Sequence, residues 1–204
     1  MGTLILIRHG QSDWNAENRF TGWVDVPLST KGEPEATEAG ERLKAEGIQV
    51  DIAFTSTLVR AVETGERVLA ALGQSDMEQT RAWELNERYY GALTGRNKAQ
   101  TAEEFGAEQV HIWRRSYATN PPGGESLKDT TERTLPYFHQ HIIPATQSND
   151  VVLVSAHGNS LRAIVKELDG LSDEEITGLE IATGVPLVYE MSDGKPTSKR
   201  ILDA

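Results

Sequence analysis

Two uninterrupted apolar runs, Leu4-Ile5-Leu6-Ile7 and Val151-Val152-Leu153-Val154, confine this chain to a narrow set of folds. Four successive branched aliphatic residues suit a strand buried on both faces, as in the centre of a parallel sheet covered by helices on either side. Both runs leave through the same dipeptide, the first by Arg8-His9-Gly10 and the second by Ser155-Ala156-His157-Gly158. Ligands in open α/β sheets collect where central strands end. The repeated histidine-glycine exit therefore predicts two imidazoles facing one crevice.

Strands and helices alternate along the rest of the chain, without internal repeats or low-complexity segments, which is an α/β pattern. Residues 10–28 form a long polar and aromatic loop, and Ser29 or Thr30 is expected to cap a helix running to about Gly47. A short strand is expected at 51–55. Leu58, Ala61, Val62, Gly65, Val68, Leu69 and Leu72 then recur at helical spacing before Gly73 stops the helix. Beyond a strand at 77–80, the aromatic-rich stretch to residue 124 reads as an excursion over the crevice, with short helices at 98–105 and 107–116. Ser126 caps a further helix that Pro136 should kink or break before 147. A strand at 151–155 follows. Leu161, Ile164, Val165 and Leu168 mark another helix, which Gly170 stops; Ser172-Asp173-Glu174-Glu175 has the form of a capping box, and 186–191 is the last clear strand.

Composition narrows the function. At 204 residues, with 38% hydrophobic and 25% charged residues, the chain can bury a substantial core within one large domain. Met1 is followed almost at once by the first strand, leaving no room for a signal segment. No apolar run approaches the ~18 residues that would suggest a membrane span. A soluble, cytoplasmic protein without membrane partners is expected. The absence of cysteine excludes disulfides, zinc-thiolate sites and cysteine nucleophiles. A net charge of −11 argues against a nucleic-acid partner. It is compatible with an anionic substrate, because a cleft focuses its own potential within a Debye length of about 8 Å.

The segment Arg8-His9-Gly10-Gln11-Ser12-Asp13-Trp14-Asn15 carries the chemistry. It combines an imidazole, a fixed cation, a flexible glycine and small polar side chains. A neutral histidine nitrogen can attack a phosphoryl group and divide one transfer into two steps through a covalent intermediate. Nearby arginines disfavour imidazolium and stabilise the charge on the transferring group.

The chain resembles the histidine phosphatase superfamily and, within it, the bisphosphoglycerate-dependent phosphoglycerate mutase family. The resemblance rests on RHGQSDWN at 8–15, RFTGW at 19–23, LNERYYGAL at 85–93, WRR at 113–115, AHGNSLRA at 156–163 and TGVPLVYE at 183–190. It implies a three-layer αβα sandwich with a mostly parallel central sheet, in one domain over 1–204 whose excursion at about 85–124 covers the active site. It implies further that His9 becomes a phosphohistidine, that Arg8, Arg60 and His157 surround the phosphoryl group, and that Glu87 acts as general acid and base. By the same resemblance, Tyr90, Lys98, Arg114 and Arg115 hold the substrate's carboxylate and second phosphate, while Ser12, Asn15, Thr21, Gly22, Gly158 and Asn159 supply polar and backbone donors. The implied reaction interconverts 3-phosphoglycerate and 2-phosphoglycerate, primed by 2,3-bisphosphoglycerate as cofactor and needing no metal, with assembly into a homo-oligomer left open. The connection from Pro121-Pro122 to Glu125-Ser126-Leu127 is shorter than in larger members of the family.

Competing readings have their own marks. A phosphatase of the same superfamily would use His9 and Glu87 but pass the phosphoryl group to water. A bisphosphoglycerate synthase is disfavoured by Ser12, where that relative carries glycine. A domain that only binds or senses phosphate should have lost the nucleophile, the acid or an arginine, and none is lost here. His111, His139 and His141 are taken as structural, since no carboxylate cluster accompanies them as a metal site would require.

Overall fold

The computed structural model describes residues 1–148 and 150–203. The first apolar run becomes β1 (Gly2–Arg8), whose four central side chains have no exposed surface. Successive strand residues point to opposite faces. Leu4 and Leu6 accordingly enter one core with Val152, Val154, Leu161 and Ile164, while Ile5 and Ile7 enter another with Ala39, Leu43, Val68, Leu69 and Leu153. Two cores on one sheet mean three layers. Helices α2 (Gly32–Ala45) and α3 (Val59–Ala71) cover one face; α6 (Leu127–Tyr137), the π-helical turn after it and α8 (Gly158–Asp169) cover the other.

The sheet has six strands in the order β3-β2-β4-β1-β5-β6, adding β2 (Ile52–Thr55), β3 (Gln79–Arg81), β4 (Val151–Ala156), β5 (Pro186–Ser192) and β6 (Lys195–Ile201). The pairings β1/β4, β4/β2 and β2/β3 are parallel, whereas β5 runs antiparallel to both β1 and β6. The mostly parallel α/β sandwich expected from the sequence is the fold observed. Arg8 pairs with Ala156, and the His9 N–H donates to the Ala156 carbonyl at 3.0 Å, so both histidine exits open side by side at one end of the sheet.

Several element limits shift for local reasons. Helix α2 begins at Gly32 rather than directly after Ser29 or Thr30, yet the Ser29 hydroxyl still accepts from the Gly32 N–H at 3.1 Å. Strand β3 starts two residues later than 77, because Gln74 and Met77 spend their N–H groups on the turn that leaves α3. Pro136 stays within α6, and the π-helical turn Phe138–Ile142 directly after it leads into α7 (Ile143–Gln147), as expected where a missing N–H interrupts the ladder. Strand β6 escapes the hydropathy pattern because it is an exposed edge rich in Lys and Arg. Its signal was the Asp193-Gly194 turn, in which both residues have positive φ, of 52° and 76°.

Between β3 and α6 the chain forms the excursion. Turns at Trp83–Leu85 and Gly91–Leu93 precede α4 (Lys98–Phe105) and α5 (Ala107–Arg115). A small separate core of Phe20, Leu93 and Val110, with Tyr90, Ala102 and Trp113 against it, fastens these helices to the loop after β1. That loop contains α1 (Asp13–Ala16), a single capped turn inside the stretch expected to be loop throughout. A short helix α9 (Asp173–Gly178) follows α8, with the predicted capping box at Ser172 and Glu175. Among the described residues no helix is long and apolar enough to cross a membrane.

Candidate active site

The strand exits, the loop after β1, the excursion and the start of α8 enclose a cleft of about 750 Å³, open mouth included. At its floor the rings of His9 and His157 lie with centroids 4.9 Å apart and planes at 61°. Gly10 is required here, because a Cβ on it would come within 2.2 Å of the Gly32 carbonyl oxygen. The chain leaving β1 thus packs backbone to backbone on the start of α2.

Hydrogen bonds settle the state of His9. Its Nδ1 lies 2.7 Å from the Gly10 carbonyl oxygen, an acceptor only, so Nδ1 carries the proton and donates. Nε2 keeps its lone pair and accepts from Arg60 Nε at 3.4 Å. Burial, followed by the charges of Arg60 and Arg8, holds the imidazole pKa well below its ordinary value. The ring is therefore neutral at neutral pH, with its free nitrogen beside a guanidinium. Arg60 is fixed in turn by donating to the carbonyls of Gly22 at 2.7 Å and Val24 at 3.0 Å, and burial lowers its pKa to about 10, where it remains charged.

His157 ends β4 and precedes α8. Its Nε2 meets the Ser56 hydroxyl at 2.7 Å, while its buried Nδ1 has no hydrogen-bond partner among the described residues. Burial and then the charge of Arg60 push its pKa down as well. Two neutral buried imidazoles have a consequence for folding. Below about pH 6.5 the unfolded chain binds protons that the native state refuses, so stability falls as pH falls, by up to about 1.4 kcal/mol per pH unit for each ring. Above pH 6.5 the two rings contribute no pH dependence. Urea unfolding at pH 8, 7, 6 and 5 of the wild type and of His157→Gln should show the difference between them narrowing only in the two acid measurements. A difference that widens on acidification contradicts the assignment.

Glu87 reaches the cleft from the excursion. Burial alone would raise its pKa, but the Arg88 N–H at 2.8 Å, the Asn159 amide and the charges of Arg8 and Arg60 outweigh it and hold the carboxyl below its ordinary range. The Asn159 backbone N–H, in the first turn of α8, also donates to Oε1 at 3.1 Å, where the helix terminus favours negative charge. Arg133 on α6 and the Trp23 indole donate to the Glu87 carbonyl at 2.9 and 2.6 Å, which fixes the backbone beneath the side chain. Tyr90 packs on Phe20 with ring centroids 5.1 Å apart, and the buried Arg88 guanidinium lies 4.9 Å over its ring.

Of the residues singled out in the sequence, Arg8, His9, Asn15, Thr21, Gly22, Arg60 and Glu87 line the cleft, together with Tyr90, Lys98, Arg114, Arg115, Gly158 and Asn159. Two, His157 and Ser12, are set back from this lining. His157 supports His9 from beneath, and Ser12 is wholly buried as the cap of α1, exchanging hydrogen bonds with Asn15 at 3.1 and 3.3 Å. Arg19, Phe20, Arg162 and Glu180 also form the wall. The first three stand inside the conspicuous sequence blocks, where they could have been noticed; Glu180 lies outside them. Seven cationic side chains therefore face Glu87 and Glu180 across the cleft. Burial, joined by the charges of Arg114 and Arg8, outweighs the opposing charge of Tyr90 and leaves the Lys98 pKa below its ordinary value, and burial followed by Arg115 does the same for Arg114. Such a site favours polyanions and offers them one buried nucleophilic nitrogen and, beside it, the buried carboxylate of Glu87.

A family model described as the histidine phosphatase superfamily (branch 1) matches residues 4–204. The chain is 53% identical to a 2,3-bisphosphoglycerate-dependent phosphoglycerate mutase of Mesorhizobium japonicum, with 98% of each chain covered. It is 51% identical to the protein of the same name from Staphylococcus carnosus, over 95% of this chain and 96% of that one. Among solved structures, Bacillus stearothermophilus YhfR superposes with a TM-score of 0.82 at 27% identity, covering 96% of this chain and 94% of that one. A mycobacterial glucosyl-3-phosphoglycerate phosphatase in complex with VO3 superposes with a TM-score of 0.81 at 26% identity, covering 93% and 92%.

Proposed function

Because this chain belongs to branch 1 of the histidine phosphatase superfamily, we propose that it is a 2,3-bisphosphoglycerate-dependent phosphoglycerate mutase, interconverting 3-phosphoglycerate and 2-phosphoglycerate. Relatives more than half identical over nearly their whole length carry that activity in their names. The observation that carries the reading is the division of charge in the cleft. Arg8 and Arg60 surround His9 on the floor, whereas Lys98, Arg114 and Arg115 stand on the excursion, with Glu87 held between these elements. A substrate anionic at both ends, with a hydroxyl to be phosphorylated near its middle, fits that division.

With His9 phosphorylated on Nε2, Arg8, Arg60 and the Nδ1 of His157 hold the phosphoryl oxygens. The free hydroxyl of the phosphoglycerate attacks phosphorus and passes its proton to the Glu87 carboxylate as the Nε2–P bond breaks. The bisphosphoglycerate then reorients under Lys98, Arg114 and Arg115. His9 Nε2 takes the other phosphoryl group, and Glu87 returns its proton to the departing oxygen. Phosphoryl group and proton both finish where they began, so the turnover balances. Tyr90 and Asn159 orient Glu87; Asn15, Thr21, Gly22 and Gly158 line the path, and Ser12 holds Asn15 in place. Protein cations accompany the charge throughout, and the steps call on no metal ion. The same reading puts the enzyme in the cytoplasm with the phosphoglycerates it consumes.

The test follows isomerisation of 3-phosphoglycerate with and without 2,3-bisphosphoglycerate, on enzyme first freed of phosphate, while inorganic phosphate release is measured in parallel. Isomerisation that begins only after the primer is added is the expected result. Release of phosphate outpacing isomerisation would select a phosphatase instead.

A further inference from the structure

We propose that Arg162 is a positioning residue that determines which end of the Asn159 carboxamide faces Glu87. The two ends of a carboxamide are nearly equal in shape but opposite in character, one donating and one accepting. Nδ2 of Asn159 donates to Glu87 Oε1 at 2.9 Å and lies 3.4 Å from the Tyr90 hydroxyl. Turned over, the same side chain would bring its carbonyl oxygen against the carboxylate and lose that donor. What prevents this sits at the other end: Arg162 Nη1 donates to Asn159 Oδ1 at 3.2 Å, and a guanidinium has no acceptor to offer.

Arg162 can act as a fixed reference because it is itself held. Its side chain is 11% exposed, its Nε donates to the Leu179 carbonyl at 2.8 Å, and its Nη2 lies 3.5 Å from Glu180 Oε2. Asn159 and Arg162 meet because they are three residues apart on α8, on one helical face. A row of four side chains thus runs from the cleft rim inward, Glu180 to Arg162 to Asn159 to Glu87. Glu180 is 64% exposed and also pairs with Arg115 at the end of α5, which ties the excursion to the outer member of the row.

Arg162 also lines the cleft, so the competing role is that of a direct ligand for an anionic substrate group. The two roles separate in Arg162→Met, which keeps bulk but cannot donate, and in Arg162→Lys, which can. The first readout is the titration of the Glu87 carboxyl by carbon-13 NMR in unliganded protein. Arg8 and Arg60 face the same carboxyl from β1 and α3 and remain in every variant. Arg162 also couples to Glu87 through its charge, so positioning predicts an upward shift of Glu87 in Arg162→Met, little shift in Arg162→Lys, and a clearly smaller further shift, that of the lost charge alone, when Arg162→Met is added to Asn159→Ala. It also predicts a fall in kcat of about tenfold with KM within about twofold, since misplacement of a reacting group lowers the rate rather than affinity. A raised KM with an unmoved Glu87 titration would overturn the proposal, as would an equal shift in the Asn159→Ala background. Should Arg162→Met fail to fold, nuclear Overhauser contacts in the wild type decide: the Asn159 amide protons must lie near Tyr90 and away from the Arg162 guanidinium. The kinetic arm rests on the mutase reading; the titration and the amide contacts do not, so failure of one is distinguishable from failure of the other.

Discussion

His9→Ala is expected to lower isomerisation of 3-phosphoglycerate by at least about 10⁴-fold, because no other group can carry the phosphoryl between the two half-reactions. The acid-labile phosphoryl group expected on the wild type after exposure to 2,3-bisphosphoglycerate should be absent from the variant. Both measurements matter, since rate alone would not separate a lost carrier from a distorted cleft. The geometry makes the claim specific to one atom. Nδ1 is occupied by the Gly10 carbonyl, so only Nε2 is free to form the bond to phosphorus. His157, although its centroid lies 4.9 Å away, cannot substitute, because its Nε2 is engaged by Ser56. His9→Ala with undiminished labelling by bisphosphoglycerate would transfer the carrier role elsewhere.

Glu87→Gln should retain the fold and the ability to bind phosphoglycerate but lose about 10²- to 10⁴-fold in kcat, the usual worth of a positioned proton donor and acceptor. The substitution preserves the shape of the side chain while removing the proton reservoir that both half-reactions share. Its effect should be uneven across substrates. Phosphorylation of His9 by a donor whose leaving group needs no proton should survive far better than phosphorylation by bisphosphoglycerate, and single-turnover labelling with the two donors gives the comparison. Equal losses with both donors would mean that Glu87 places the substrate rather than moving its proton.

The parts of this molecule that were legible in its sequence are those whose signal is local or repeated. Leu4–Ile7 and Val151–Val154 announce central strands because burial on both faces leaves no polar position to interrupt them. Ser126 and Ser172 announce helix starts because each cap needs only its own side chain and a partner three residues on. The site residues were legible through blocks of sequence, in the order the chain presents them. What escaped depends on meetings that spacing does not encode. Glu180 becomes notable only because Arg115 and Arg162 arrive beside it from two other elements. The free nitrogen of His9 follows from a carbonyl one residue away, but only once its ring geometry is known. Strand β6 looks like a solvated tail until β5 lends it a ladder.

The place of β1 in the sheet also bears on how the chain can be made. Its two neighbours, β4 and β5, come from the last third of the sequence, with Thr3 opposite both Val151 and Glu190. During synthesis the first strand must therefore wait, unpaired, until nearly the whole polypeptide has emerged, and the entropy of closing that long loop slows assembly. For that interval Leu4–Ile7 is an exposed apolar strand with two open edges, the feature most prone to pair with another chain. The waiting also acts as a check on completeness. A truncated product carries His9 but has neither the strand that seats it nor the second imidazole beneath it, so a half-made chain holds the nucleophile without a cleft in which to use it.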